Sequence, residues 1–542
     1  MANIAFISPY DQFALGVRYL SSALKPHGHN SRIIALNRTH TNRDPKALEK
    51  DAYQAETAAI SKREYGLLRD SIKDFEADFI GVTLASQSYG LCVWMTEQFR
   101  KDFPGVPILW GGSDPTLHPE LGIEHCDFLA HSESEDSLPE LMQLVGEGKD
   151  ATQVEGFWVR NGETIHRNPR KPLIQDLDRL PFPDYDLEEK FLIENDKIAQ
   201  MDDPYYVIMT QRGCPYRCTF CINSTLPGLS PGQKYVRRRS VQNVMEELLW
   251  IKKKYPTLHF IEFYDDIFTV SKRWLKEFAP LYRDEIGLPF WCFTYPGQCD
   301  DSIAAMLKDM GVGYVHFGVQ SGSERTLKEV YRRSDPEGVV ETTKTLNRHG
   351  IPAKFDLIGA NPMETDEDHL ETLEVLLEVP HPFRTNPMNP LAFYFNSPIT
   401  KMAQERGIAL KPVVGANAYR AVDDNNFEFW KALFDLTQYP HVDDDFLRRA
   451  AHNEYFRQNP EVLVRFQKAL QDCYWETPAD FSSKQYRIDM LKNDLRALQA
   501  ENERLKARIG GIEGKRLYKA YKKIRAFLPG GGFESVTQPQ AT

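Results

Sequence analysis

Short apolar runs alternate with amphipathic helical stretches twice along this chain, and that alternation constrains its fold more than any other feature. In the first run, Asn3–Ile7, Ser31–Leu36, Asp78–Leu84, Pro107–Trp110 and Asp127–Ala130 read as strands. Helical periodicity separates them at Leu15–Leu24, Leu91–Phe103 and Ser137–Val145. Strands that alternate with helices of this length predict a doubly wound, mostly parallel α/β sheet. Ligands on such sheets bind beyond the carboxyl ends of the strands, here the loops Ser86–Tyr89, Gly111–Thr116 and His131–Asp136.

The second run extends from Tyr206 to about Tyr394. Its strands read as Tyr206–Met209, Phe260–Phe263, Trp291–Thr294, Tyr314–Gly318, Lys354–Ile358 and Leu391–Phe395, with helical patterns such as Val241–Lys254 and Val339–His349 between them. Six repeats make most of a (β/α) barrel. The expected organisation is a Rossmann-like N-terminal domain over 1–150 and a linker over 151–200, marked by LPFPDYD at Leu180–Asp186. A partial (β/α)6 barrel over 201–400 and an α-helical region over 401–481 follow.

The chain has 42% hydrophobic residues, no apolar run of 18 or more and only eight cysteines in 542 residues. These features argue against disorder, a transmembrane helix and a disulfide scaffold. MANIAFISPYDQF at the start lacks the basic and apolar regions of a signal peptide. A cytoplasmic, reducing location is expected, where a tight cysteine group is a metal or redox candidate. Cys214, Cys218 and Cys221 form one, spaced C-x3-C-x2-C directly after the Tyr206–Met209 strand. Three thiolates on one loop suit a 4Fe–4S cluster with one iron left open. A structural zinc site normally takes four ligands, and the next cysteines and histidine are distant, at Cys292, Cys299 and His259.

This cysteine loop resembles the signature of the radical S-adenosylmethionine (SAM) superfamily. Further segments are similar to its cobalamin-dependent branch: DFIGVTLASQS, WGGSDPTLHPE and HSESEDSLPEL within 78–145, then DLDRLPFPDYD at Asp176–Asp186. Beyond the cysteines come Val236–Ser240, IEFYDDIF at Ile261–Phe268, GVQSGSERTL at Gly318–Leu327 and LIGANPMET at Leu357–Thr365. The resemblance covers about residues 1–400. The chain departs from the family at Asp114, where a histidine is usual. It departs again at Ser132-Glu133-Ser134-Glu135, for Gly-Glu-Gly-Glu, and at Gln320, for glutamate. It has no Asp-x-His-x-x-Gly motif.

The resemblance implies that residues 1–150 bind cobalamin and that 201–400 form a radical SAM barrel. Cys214, Cys218 and Cys221 would hold the cluster, whose open iron binds SAM. Phe220, Asp265, Asp266, Gln320, Ser321, Gly322 and Gly359, beside Ala360, would contact SAM. Thr83, Ser86, Gln87, Gly111, Gly112 and Ser132 would contact cobalamin. Arg237 and Arg239 are candidates to pair with a carboxylate. The remaining cysteines read as buried core thiols, Cys299 being the one closest to the expected active face.

The implied activity is methyl transfer to an unactivated carbon, or to a phosphinate phosphorus, of a small-molecule biosynthetic intermediate. A radical SAM/cobalamin cyclase or rearrangement enzyme is the alternative. From another class, a non-catalytic dimeric scaffold or sensor is the rival. An electron donor such as flavodoxin or ferredoxin is implied.

Ile488, Leu491, Leu495, Leu498, Asn502, Leu505 and Ile509 keep a heptad spacing, so 482–510 reads as a coiled coil that would pair two copies. A basic amphipathic helix and a flexible tail are expected over 511–542. The whole chain carries −11, yet 482–528 holds 13 Lys/Arg against 5 Asp/Glu. The acidic body does not suit nucleic acid or membrane; the basic tail suits peripheral contact with the inner membrane face, and nothing else in the chain supports nucleic acid as its partner. The tail favours a saccharide or lipid-linked substrate.

Overall fold

The computed structural model describes residues 1–9, 11, 13–36, 60–201, 206–331, 336–413 and 415–474. Contacts divide the chain into 1–483 and 484–542. The predicted coiled coil, basic helix and tail therefore lie outside the described residues, as does the side chain of Cys473. Among the described residues no helix is long and apolar enough to cross a membrane.

The first layer is a nine-stranded sheet. Its strands are β1 (Asn3–Pro9), β2 (Asn30–Leu36), β3 (Phe79–Thr83), β4 (Ile108–Gly111), β5 (Phe128–Ala130), β6 (Phe157–Asn161), β7 (Thr164–Arg167), β8 (Lys190–Glu194) and β9 (Lys197–Gln200). They stand in the order β7-β6-β5-β4-β3-β1-β2-β8-β9. The inner strands β5 through β8 pair in parallel, and antiparallel strands finish both edges. Alternate residues of β1 enter opposite cores: Ile4 and Phe6 face one side, Ala5 and Ile7 the other. Burial on both faces is why these runs are continuously apolar.

Residues 151–200, expected as a linker, supply β6 to β9. The LPFPDYD stretch is a buried bolt. Asp184 accepts from Ser21 Oγ (2.5 Å), Lys25 Nζ (2.8 Å) and Lys190 Nζ (2.9 Å). Burial alone would raise its carboxyl; Lys190, Lys25 and Ser21 outweigh that and hold it far below the ordinary range. The next residue, Tyr185, enters the barrel core against Tyr206, with ring centroids 4.4 Å apart.

The second sheet runs β10 (Tyr206–Ile208), β13 (Ile261–Phe263), β14 (Phe290–Phe293), β15 (Val312–Gln320), β16 (Ala353–Gly359) and β17 (Phe383–Thr385), all parallel, with the short β18 (Asn389–Pro390) as a seventh strand on the end of β16. This is the expected six-stranded partial barrel with one correction: its sixth strand is β17, not Leu391–Phe395. Phe393–Tyr394 (β19) instead joins β20 (Leu410–Pro412) and β21 (Ala418–Ala421) in a small antiparallel sheet. Intervening helices start at side-chain caps: Ser240, Ser271, Asp300 and Thr365 each accept an amide N–H from the first turn. The helix Phe427–Leu436, from the region expected to be helical, completes the barrel core with Trp430 and Leu433.

Candidate functional site

Past β10, the chain forms a short ribbon, β11 (Gln211–Arg212) against β12 (Arg237–Arg238), from which the cysteine loop projects. Gly213 turns the chain at φ +89°, and a Cβ there would stand 2.6 Å from the Tyr235 carbonyl, so only glycine fits before Cys214. Thr219 ties the loop down: its Oγ1 donates to the Val330 carbonyl (2.6 Å) and its N–H to that of Tyr331 (3.2 Å). Cys214 and Cys218 are buried and Cys221 is half-buried, grouped with Ile267 and Tyr295. Tyr216, between two of the cysteines, stacks on Tyr295 at 3.6 Å and 7°.

Burial pushes the Cys214 thiol up to about 12, and Asp266 and the other two cysteines add to the rise; Cys221 is raised as well. Cationic iron would favour the thiolates against that rise at Cys214 and Cys221. Three soft donors on one buried loop fit an iron–sulfur cluster. Among the described residues, no three His, Cys, Asp or Glu side chains gather around a single metal-ion position.

The candidate SAM contacts separate into two groups. Asp265 is fully buried and fully engaged: it accepts from the Thr210 N–H (2.6 Å), the Gln211 N–H (2.8 Å) and Thr210 Oγ1 (2.5 Å), with Arg238 at 3.7 Å. It shapes the root of the cysteine loop. Its neighbour Asp266 is exposed and accepts from Asn223 Nδ2 at 3.0 Å, on the cysteine side. The surrounding protein raises its carboxyl by desolvation, and Asp265 adds to that.

At the end of β15, Gln320 adopts φ +66°, and its buried Oε1 has no hydrogen-bond partner. Ser321 donates to Glu364 Oε1 at 2.7 Å. A Cβ on Gly322 would stand 2.5 Å from Thr372 Cα, and one on Gly359 would stand 2.6 Å from Met388. Ser321, Gly322 and Gly359 are thus committed to packing, and Ala360 follows at φ +49°. Asp266 and Gln320 remain available to a ligand. Phe220 meets Tyr331 edge-on at 5.0 Å and borders the same space as Cys221.

The six candidate cobalamin residues divide between two cavities. Thr83, Gly111, Gly112 and Ser132 line one of about 320 Å³ beyond the ends of β3, β4 and β5, walled by apolar residues such as Leu15, Val82 and Phe157. Ser86 and Gln87 line another of about 260 Å³. Across it stand Phe220, Cys221 and Thr225, and Tyr394 and Asn396 close one side. The first cavity, with its apolar walls, suits the flat base of a cobalamin's nucleotide tail, and the uncharged hydroxyls and amides of the second cavity suit the amide rim of the corrin, so the residues present fit the group.

Ser86 is partly committed: its Oγ donates to Asp114 at 2.6 Å, and Asn417 donates to the same carboxylate at 2.9 Å. Asp114, where the family has histidine, is fully buried, and burial raises its carboxyl. Gln87 donates to Tyr394 Oη at 2.8 Å.

A buried ionic bridge joins the two halves. Arg212 meets Glu133 (3.0 Å) and Glu135 (2.5 Å), and Arg237 meets Glu133 at 2.7 Å. Burial alone would raise the Glu133 carboxyl; Arg237 and Arg212 more than offset that and hold it below its ordinary value. Arg239 pairs with buried Glu247 at 2.5 Å. Both candidate arginines thus pair with protein carboxylates. Cys92, Cys126, Cys292 and Cys299 are buried, as expected. Sequence reasoning missed His118, Tyr394 and Asn417. His118 stood inside the quoted WGGSDPTLHPE segment, but the partners of the other two lie hundreds of positions away.

Residues 208–376 match the model of the Radical SAM superfamily. The chain is 30% identical over 401 residues to cytidylyl-2-hydroxyethylphosphonate methyltransferase of Streptomyces wedmorensis, covering 66% of this chain and 70% of that one. It is 28% identical over 364 residues to an uncharacterized methyltransferase of Pyrococcus horikoshii, covering 66% and 72%. Its fold is shared with the cobalamin-dependent S-adenosylmethionine radical enzyme OxsB, solved with aqua-cobalamin and S-adenosylmethionine bound. The TM-score is 0.60 at 14% identity, over 97% of this chain and 83% of that one. Given the cysteine loop on a six-stranded barrel, the first-domain cavities facing it and these likenesses, the chain belongs to the radical SAM superfamily, in its cobalamin-dependent methyltransferase branch.

Proposed function

We propose that this enzyme methylates an unactivated carbon, or a phosphinate phosphorus, of a small-molecule biosynthetic intermediate. The observation that carries the reading is the cavity with Cys221 and Phe220 on one wall and Ser86 and Gln87 on the other. A substrate there reaches both cofactor sites at once. When bound, the cluster with SAM supplies a 5′-deoxyadenosyl radical and cobalamin supplies the methyl group.

The chain's own residues orient and shield. Cys214, Cys218 and Cys221 hold the cluster, and the Tyr216–Tyr295 stack packs beside it. Asp266 would hold the SAM ammonium, Gln320 would offer its free carbonyl, and Phe220 would contact the adenine. Thr83, Gly111, Gly112 and Ser132 would hold the cobalamin tail, and Ser86 and Gln87 would hold the corrin rim. Confinement by aromatic walls keeps water from a reactive radical.

The electron donor on this reading is a flavodoxin or ferredoxin, the heptad segment pairs two copies, and the basic segment after it touches an anionic membrane face. Light scattering of the chain with and without 484–542 tests the pairing; the same number of copies per particle in both rejects it. Product analysis of the reconstituted enzyme with SAM and a strong reductant tests the reaction. Deoxyadenosine together with S-adenosylhomocysteine supports methyl transfer. Deoxyadenosine alone points to cyclisation or rearrangement.

A further inference from the structure

We propose that the inner face of the barrel binds a sugar ring of the substrate, between Asp356 and Lys354. The proposal rests on the function above and names the class of group that its substrate carries. Phe263, Cys292, Phe317 and Phe355 turn outward into the core shared with the helices. Side chains alternate along a strand, so Tyr264, Phe293, His316, Lys354 and Asp356 turn inward. Barrels are ordinarily filled by layers of branched aliphatic side chains. This interior presents rings and ionisable groups instead.

The rings make a wall. Trp291 and Tyr314 lie parallel with centroids 5.9 Å apart, Phe293 stacks on His316 at 4.8 Å, and Tyr264 meets Phe293 edge-on at 6.1 Å. Tyr264 is 49% exposed, so the wall is open there. Asp356 Oδ2 lies 2.8 Å from His316 Nε2, and Oδ1 accepts from Asn386 Nδ2 at 2.5 Å. Burial alone would raise the Asp356 carboxyl; His316 and Asn386 outweigh that and keep it below its ordinary value. Its side chain is still 33% exposed, an ionised acceptor held in place. Lys354 is half-buried, with its ammonium 5.6 Å from the Tyr314 ring centroid and with no ion pair or side-chain hydrogen bond among the described residues. Ile358, two positions beyond Asp356 on the same face, packs with Phe220 on the cluster of Leu391 and Phe393, and Phe220 borders the 260 Å³ cavity. The inner face therefore continues from the proposed reaction site.

The mixture of groups selects the ligand. Asp356 only accepts hydrogen bonds and Lys354 only donates them. Glu262 also turns inward, since Ile261 and Phe263 on either side belong to the outer core. An ammonium ligand would be opposed by Lys354, and a carboxylate or phosphate by Asp356 and Glu262. A ring of adjacent hydroxyls uses both kinds of group, because each hydroxyl gives one hydrogen and accepts others. The C–H face of such a ring is slightly positive and settles on an aromatic face, where the quadrupole is negative.

Saturation-transfer NMR of the full chain, without SAM, tests the proposal. The probes are the methyl glycosides of glucose, galactose, mannose and N-acetylglucosamine. The controls are six-membered rings that carry charge in place of hydroxyls: cyclohexylammonium, cyclohexanecarboxylate and 4-aminocyclohexanecarboxylate. Transfer to the ring protons of at least one glycoside is expected, above that to every control. Asp356→Asn and Tyr264→Ala should each abolish it. The second change falls on a half-exposed ring, and the ranking of probes on the wild type depends on no variant. Transfer to none of the glycosides, equal transfer in wild type and both variants, or stronger transfer to a charged ring overturns the proposal and leaves methyl transfer untouched. Deoxyadenosine without S-adenosylhomocysteine in the product analysis overturns methyl transfer and leaves the sugar site standing.

Discussion

At the residue scale, two adjacent aspartates divide the labour. Asp265 is buried against two backbone N–H groups, a hydroxyl and Arg238, while Asp266 is exposed beside Asn223. Removing one partner of a buried ion pair costs about 3–5 kcal/mol. Asp265→Ala is therefore expected to lower the denaturant midpoint of the apo chain sharply. Asp266→Asn should leave that midpoint in place and weaken SAM binding roughly tenfold, about 1.4 kcal/mol. Equal effects of both on stability would refute the division. Sequence alone could not make it, because neighbours on an extended chain point to opposite sides and either phase was possible.

Glu364 contributes a pH dependence of stability. Burial pushes its carboxyl up to about 8, with nearby Asp368 adding to the rise. Between its ordinary value near 4.5 and 8, the folded chain keeps a proton that the unfolded chain has released. Folded stability contributed by this group therefore falls as pH rises through that window. Glu364→Gln holds the neutral shape at every pH and should flatten the fall, read as denaturation midpoints at the two ends of the window. A variant that loses stability as steeply as the wild type would contradict this.

At the scale of elements, Gly415 and Asn417, between β20 and β21, dock on the first domain. Asn417 binds Asp114, its N–H donates to the Ser86 carbonyl (3.0 Å), and Gly90 N–H donates to the Gly415 carbonyl (2.6 Å). A Cβ on Gly90 would stand 2.5 Å from Gly415 Cα. Asn417→Ala leaves a buried carboxylate with fewer donors, at about 1–3 kcal/mol. Faster amide exchange at 86–90 and 413–421 should follow, with the barrel strands unchanged; uniform exchange would reject the docking role.

The inner strands of both sheets were legible because burial on both faces makes them apolar throughout. The sixth barrel strand was not. Phe383–Thr385 is an edge strand flanked by Pro382 and carrying exposed Arg384, whereas Leu391–Phe395 has the more apolar pattern but sits in the small sheet. Likewise the prolines and acids of LPFPDYD imitate a linker, since the partners Ser21 and Lys25 of Asp184 lie far back in the chain. Cysteine spacing announced the cluster loop locally. The walls of the cavity come from segments some 300 residues apart and became visible only through the fold.

At the scale of the whole molecule, two α/β units are held in register by buried charge rather than by a flexible tether. Asp184 and Tyr185 bolt the first sheet to the barrel, and Glu133 with Arg212 and Arg237 joins the first-domain loop to the root of the cysteine loop. On the proposed function, those contacts hold the cluster loop and the cobalamin residues Ser86 and Gln87 across one cavity. Electron paramagnetic resonance of the reduced chain carrying both a cluster and cob(II)alamin tests this most directly. Each signal is expected to be broadened and to relax faster in the presence of the other, and Cys218→Ala to restore the isolated cobalamin spectrum. Two signals that add without mutual effect would contradict it.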